Sequence, residues 1–268
     1  MQVETIQTRA TVSSTLEDFF ALVRTADEST LLLDFDGTLA PFRIDPLQVR
    51  PWAGVPELLA EIHKLGTTRI VIISGRPAAE VASQLGLSSL EIWGLHGVER
   101  RFPDGRVELD QLLPQEHDTL AGARKAIRSA AFGQRIRVED KWNAVAVHWR
   151  GQSPQTSEAL LKVALSLLQP FGTAPTMHLL QFDGGVELRA GRNKGDAVRL
   201  LLNEMHIDAP VAYLGDDTTD EDAFRALTGR GLTVLVRSRW RPTSAALWLR
   251  PPTQLRGFLS SWVNALRG

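Results

Sequence analysis

LLLDFDGTLAP, residues 31–41, is the stretch on which the fold turns. Three leucines run directly into two aspartates spaced two apart, Asp34 and Asp36, and then into Gly37 and Thr38. That is the pattern of a buried strand ending in a pair of acids. Alternate side chains of an extended chain point the same way, so the two carboxyl groups lie on one side of the strand end. Gly37 then frees the backbone to turn. Adjacent carboxylates repel, and such a pair implies a bound cation, a shared proton or both. By itself the stretch reads also as a strand followed by an acidic turn, since Asp and Gly are common turn formers.

Outward from this stretch, strands and helices alternate. Helical spacing over residues 15–24, with Ser14 or Thr15 as N-cap, precedes the strand. A loop punctuated by Pro41, Pro46 and Pro51 leads into a helix over residues 55–65, closed by Gly66. The β-branched run of residues 69–73 ends at Ser74-Gly75, and Pro77 opens the next helix. A short strand at 90–93 precedes a hairpin that turns at Pro103-Asp104-Gly105. This order predicts a parallel sheet.

From about residue 111 the rhythm changes. A helix (117–131) and two strand-like runs (136–139 and 145–149) are followed by a second helix (157–168) and two further strands (177–182 and 185–188). The alternation resumes with a helix over 194–205, a strand over 211–214 that stops at Gly215-Asp216-Asp217, and a helix over 219–227. A strand at 232–236 and a closing helix at 254–266 complete it. The predicted fold class is α/β: a Rossmann-like parallel-sheet core of residues 1–110 and 186–268, interrupted at 111–185 by an α+β insert of two helix-strand-strand units.

With 268 residues, 43% hydrophobic and 23% charged, the chain can bury one large or two modest cores. Its 30 basic and 31 acidic side chains give a net charge of −1, so neither a nucleic-acid nor an anionic-membrane partner is expected. The absence of cysteine excludes disulfides, thiolate metal sites and a cysteine nucleophile. No secretory leader is visible at the N-terminus and no apolar run reaches membrane-spanning length, so a cytoplasmic, soluble protein is expected.

Ligands of open parallel sheets bind beyond the carboxyl ends of the strands. Asp34 with Asp36, Ser74, Lys194, and Asp216 with Asp217 and Asp220 all fall at or near such positions. A carboxylate nucleophile, a second carboxyl group, a hydroxyl, an ammonium and a carboxylate cluster are what phosphoryl transfer through an aspartyl-phosphate requires. A divalent ion on hard oxygen ligands would bring the anionic nucleophile and phosphate together. Each element taken singly has a plainer reading: Lys194 as a solvated helix residue, and Thr218 with Glu221 as a capping box.

LLLDFDGTLAP, VIISGRP, the lysine of GRNKGDA and GDDTTDEDAF resemble, in order, the four motifs of the haloacid-dehalogenase (HAD) superfamily of phosphatases. GDDTTDEDAF, GLHGVE and AVHWR resemble more closely the trehalose-6-phosphate phosphatases within it. The resemblance implies Asp34 as nucleophile, Asp36 as general acid and base, and Ser74 and Lys194 on the phosphate. It implies Mg2+ on Asp34, Asp216 and the backbone carbonyl of Asp36, with Asp217 and Asp220 in support. The insert corresponds to a cap over the sugar, with Glu139, Lys141, Glu187, His96 and Arg76 on the substrate and Glu99 near the cleft. Glu139 to Lys141 reads equally as an exposed hairpin turn, and core packing is expected for His148, Trp142 and Trp149. Two departures, Phe35 where tyrosine is commoner and Ala190 where proline is commoner, bear on substrate detail. The implied substrate is trehalose 6-phosphate. Sucrose 6-phosphate or glucosylglycerol phosphate, and a non-catalytic sugar-phosphate-binding module, stand as alternatives. A synthase of the ester is a candidate partner.

Overall fold

The computed structural model describes residues 9–43, 48–130, 136–174, 176–182 and 184–268, with side chains from residue 15. In chain order, α1 (Arg9–Thr25), β1 (Ser29–Leu33), α2 (Val55–Leu65), β2 (Thr68–Ile73), α3 (Ala78–Leu85) and β3 (Glu91–Gly94) are followed by a hairpin of β4 (Glu99–Arg101) and β5 (Val107–Leu109). Then come α4 (Pro114–Ser129), β6 (Arg137–Lys141), β7 (Ala144–His148), α5 (Pro154–Leu168), β8 (Met177–Phe182) and β9 (Gly185–Ala190). The chain closes with α6 (Lys194–Asn203), β10 (Val211–Gly215), α7 (Glu221–Leu227), β11 (Leu232–Val236), β12 (Leu247–Leu249) and α8 (Thr253–Arg267).

Eight strands form one sheet in the order β12-β11-β10-β1-β2-β3-β4-β5, parallel except at the β4 and β5 edge. All five residues of β1, β10 and β11 are buried, because helices cover both faces. The period of two divides them. Leu31 and Leu33 join Ile72, Leu259 and Trp262 in the core under α1, α2, α3 and α8, whereas Leu32 joins Val71, Tyr213 and Phe224 under α6 and α7.

The second sheet is antiparallel, β6-β7-β9-β8. Val145, Val147, Val186 and Leu188 bury one of its faces against α4 and α5, through Leu120, Ile127, Leu160 and Leu168. Its other face carries the charges. Glu139 lies opposite Ala146, Ala146 opposite Glu187, and Glu187 opposite Leu180, so two acids flank a small residue in one row across the sheet. We call this unit the lid.

Several sequence expectations shift. The first helix begins at Arg9, which puts Ser14 and Thr15 inside it and not at its cap. The small sheet runs to Ala190, so Glu187 sits within it, beyond the boundary expected at 186. The strand β12 was not anticipated. Pro46 and Ala131 lie outside the described residues. Among the described residues no helix is long and apolar enough to cross a membrane.

Candidate active site

β1 is the strand from which the chain winds away in opposite directions, with β10 on one side and β2 on the other. A crevice opens beyond the strand ends at such a switch point. The three strands end level, Leu33 pairing with both Leu214 and Ile72, so Asp34, Ser74 and Asp216 emerge side by side. Gly37 turns the chain with φ +88, and a Cβ there would run into the Asp216 carboxylate. Only glycine meets both demands.

Lys194 reaches the same point from the start of α6. Asn193 accepts from the Asp196 N–H at 3.0 Å and Asp196 from the Asn193 N–H at 2.9 Å, a reciprocal cap that fixes the first turn. The Lys194 ammonium donates to Asp34 Oδ1 at 2.6 Å and to Asp220 Oδ1 at 2.7 Å. All three side chains are buried. Asp220 also accepts from the Tyr213 hydroxyl at 2.6 Å and from the N–H groups of Asp216 and Asp217, both at 3.0 Å. Its oxygens are therefore occupied in organising the loop. The expected pairing of Thr218 with Glu221 is replaced by a capping box between Asp217 and Asp220, one residue earlier.

Burial pushes the Asp34 carboxyl up to about 7, even though Lys194 pulls the other way. Asp216 is raised well above the usual carboxylate range, by burial first and then by the Asp34 charge. One lysine does not offset this many acids. Asp34 Oδ2 and Asp216 Oδ1 are buried without a hydrogen-bond partner, and Asp34, Asp216 and Asp220 can present oxygens within 4.8 Å of one another. Two orphaned, crowded, hard oxygen donors fit a divalent cation such as Mg2+. Ser74 is buried beside them, and its Oγ accepts from the Arg76 N–H at 3.2 Å. Asp36 is gripped by Arg76 through Nε at 2.5 Å and Nη2 at 2.8 Å. The guanidinium assigned from sequence to the substrate thus holds the second aspartate.

Asp34, Asp36, Ser74, Lys194 and Asp216 line a cavity of about 670 Å³ that the lid faces with Glu139, Lys141 and Glu187. Lys141 donates to Glu187 at 2.8 Å, and His96, from the turn after β3, contacts the second Glu187 oxygen at 3.2 Å. Burial alone would raise the Glu187 carboxyl, but Lys141 and His96 hold it well below the ordinary value. Burial, then Arg189, drives His96 down to about 3, so the imidazole is neutral and donates from Nε2. His96 follows Leu95 in the left-handed region, φ 62 after φ 51, a strained turn that sets the ring against Gly75. Glu139 is not on an exposed turn. It is held down to about 2, against burial, by His148 at 2.8 Å, by Lys141 and by Arg137.

Glu99 turns away, accepting from the Ala78 N–H at 2.6 Å, and so supports α3. Trp142 packs on His117 in the lid, and Trp149 is a buried core residue that also touches the cavity. His148, expected in the apolar core, lines the cavity as a partner of Glu139. Phe42 and Arg150 were not singled out from the sequence. The Arg150 guanidinium lies 4.4 Å from the Phe42 ring and joins the lid to the loop after Pro41. No local pattern announces a pair formed between distant segments.

The chain is similar to known proteins in sequence and in fold. The chain is 30% identical over 251 residues to the probable trehalose-phosphate phosphatase 4 of Oryza sativa subsp. japonica, covering 87% of this chain and 65% of that protein. It is 30% identical over 263 residues to the trehalose-phosphate phosphatase of Mycobacterium tuberculosis, covering 90% of this chain and 63% of that protein. The chain thus spans less than two thirds of the length of these relatives. The fold is that of the C-terminal domain of C. albicans trehalose-6-phosphate phosphatase, with a TM-score of 0.79 at 19% identity over 93% of this chain and 96% of that one. Aspergillus fumigatus trehalose-6-phosphate phosphatase aligns with a TM-score of 0.67 at 24% identity, over 93% and 97%. The trehalose-phosphatase family model matches residues 32–248, from the strand that delivers Asp34 to the last strand of the large sheet, and the chain belongs to that family.

Proposed function

We propose that this chain is a Mg2+-dependent phosphatase that hydrolyses trehalose 6-phosphate to trehalose and phosphate through an aspartyl-phosphate on Asp34. The observation that carries the proposal is the unpartnered Asp34 Oδ2, buried beside Lys194 and Asp216 on the floor of a cavity roofed by Glu139, Lys141 and Glu187. Membership of the trehalose-phosphatase family supports the substrate. Mg2+ on Asp34, Asp216 and the Asp36 carbonyl would supply positive charge to the phosphoryl oxygens and keep Asp34 ionised.

In this reading an Asp34 oxygen attacks phosphorus, and the bond from phosphorus to the sugar oxygen breaks. Asp36 gives its proton to that leaving oxygen and later takes one from the water that cleaves the acyl phosphate. Arg76 orients Asp36 and must release one of its oxygens for the proton to be carried. Lys194 and Ser74 hold the transferring oxygens. The lid acids and Lys141 pair with sugar hydroxyls, and the closed lid keeps bulk water from the acyl phosphate. The whole reading divides the chain into a catalytic core and a substrate-selecting cap.

The test is phosphate release from a panel of disaccharide and glycosyl phosphates with Mg2+ and with EDTA. Trehalose 6-phosphate should give the highest kcat/KM, abolished by EDTA. A preference for sucrose 6-phosphate or glucosylglycerol phosphate would keep the chemistry and replace the sugar, and release that is indifferent to EDTA would overturn the metal site.

A further inference from the structure

The loop between β11 and β12 sends two arginines back to the acidic loop after β10. Arg241 donates from Nε to the Asp216 carbonyl at 3.2 Å and from Nη2 to the Asp217 carbonyl at 2.7 Å. Its Nη1 pairs with Glu221 at 2.5 Å, and both side chains are largely buried. Glu221 is fixed in turn by the Thr243 hydroxyl and the Ser244 N–H, each at 2.8 Å. Arg237 adds a weaker contact to the Asp216 carbonyl at 3.3 Å. On the other side, the N–H groups of Asp216 and Asp217 are both held by Asp220 Oδ2. Every main-chain polar group of these two residues is therefore tied, whereas Asp216 Oδ1 is buried with no partner.

A carboxylate whose backbone is clamped from both sides and whose own oxygen is open is aimed, not merely packed. We propose that Arg241, locked by Glu221, is a positioning residue for the divalent cation: it fixes the two peptide planes from which the Asp216 carboxylate is presented. The inference rests on the metal site of the proposed function and extends it to a residue that touches neither metal nor substrate. The guanidinium suits the task because a planar fork serves two carbonyls and a carboxylate at once, which a lysine ammonium does not. Partners that orient ligands in this way change metal affinity by roughly 10- to 100-fold when removed.

The experiment is calorimetric titration of Mg2+ into the substrate-free protein, for wild type, Arg241→Ala and Arg241→Lys, with melting curves to confirm folding. Both variants should bind Mg2+ at least about 10-fold more weakly. At saturating Mg2+ their KM for the sugar phosphate should stay near that of wild type. An Arg241→Ala protein with wild-type affinity overturns the inference, and full rescue by lysine overturns the clamp in favour of simple charge. Should Arg241→Ala not fold, Glu221→Gln takes its place, with a smaller loss expected and an unchanged affinity overturning the idea. Wild type that binds no Mg2+ overturns the metal site itself, a result distinct from wild type and variant binding alike.

Discussion

The proposed mechanism asks Asp34 to be buried and to be a nucleophile, and the two demands oppose each other. Burial raises its carboxyl to about 7, although attack on phosphorus needs the ionised form. Lys194 supplies part of the compensation from 2.6 Å, and an oxygen left without a partner leaves room for a cation to supply the rest. Asp34→Asn removes the charge at constant shape. The variant should fold, with a melting temperature at or above that of wild type because a buried charge is gone, and turnover should fall by at least about 10³-fold. Activity within an order of magnitude of wild type would rule out the covalent route. Glu187 poses the complementary test at the sugar end. Its charge is held by Lys141 at 2.8 Å and by His96 at 3.2 Å. Glu187→Gln should raise KM for the disaccharide ester by roughly 10-fold or more, the cost of leaving Lys141 without its counter-charge. Hydrolysis of a small aryl phosphate, which needs no sugar contact, should change little. Equal loss on both substrates would move Glu187 from substrate recognition to the chemistry.

At the scale of elements, α6 shows how local sequence delivers the lysine proposed to hold the transferring oxygens. GRNKGDA places an N-cap, a lysine and a capping acid at fixed offsets, and the resulting first turn fixes the place from which Lys194 enters the site. Asn193→Ala should cost about 1 kcal/mol of stability and should lower kcat as well, since a frayed first turn no longer holds the ammonium 2.6 Å from Asp34. A urea midpoint that falls while kcat stays constant would show that the cap is structural only. The same element explains what the sequence made legible. Residues 31–33, 69–73, 211–214 and 232–236 declare themselves as strands because burial on both faces demands unbroken apolar runs, and each acid or hydroxyl of the site stands just past such a run. β12 was missed because three residues, Leu247–Leu249, set among Ser, Ala and Pro carry no periodicity. Side-chain pairings were equally hidden. Nothing in the spacing says that Arg76 closes on Asp36, that Asp220 spends its oxygens on Lys194, Tyr213 and two amides, or that Glu221 answers to Arg241 and not to Thr218. Those partners come from packing between segments that periodicity treats one at a time.

For the whole molecule, His96, in the turn that follows β3 of the large sheet, touches Glu187 of the small sheet. Around this contact stand Lys141 and Arg189 from the lid, so the imidazole adjoins two cations and one acid. Burial and Arg189 keep it neutral, with its protonation displaced from 6.5 to about 3. The unfolded chain therefore binds this proton more readily than the folded one, and the stability that follows is complete above about pH 6.5 and lost progressively as pH falls toward 3. Glu139, held down to about 2, and Glu187, held well below its usual value, act in the same direction, but only below about pH 4.5, where an unfolded glutamate begins to take up protons. Two windows should separate in urea denaturation between pH 8 and pH 3. The first, between about pH 6.5 and 5, sums losses at His96 and at His148, whose imidazole burial also holds below the usual range, against a gain at Asp34, whose raised carboxyl takes up its proton in the folded chain; the second, below about 4.5, adds the lid glutamates. His96→Asn isolates the His96 share of the first, because asparagine tolerates the left-handed backbone at φ 62 and does not titrate. The variant should start from a lower stability at pH 8, having lost the contact to Glu187, and the gap between it and wild type should narrow as pH falls from about 6.5 to 5. A gap between wild type and variant that is the same at pH 8 and pH 5 would mean that the folded chain does not hold His96 neutral.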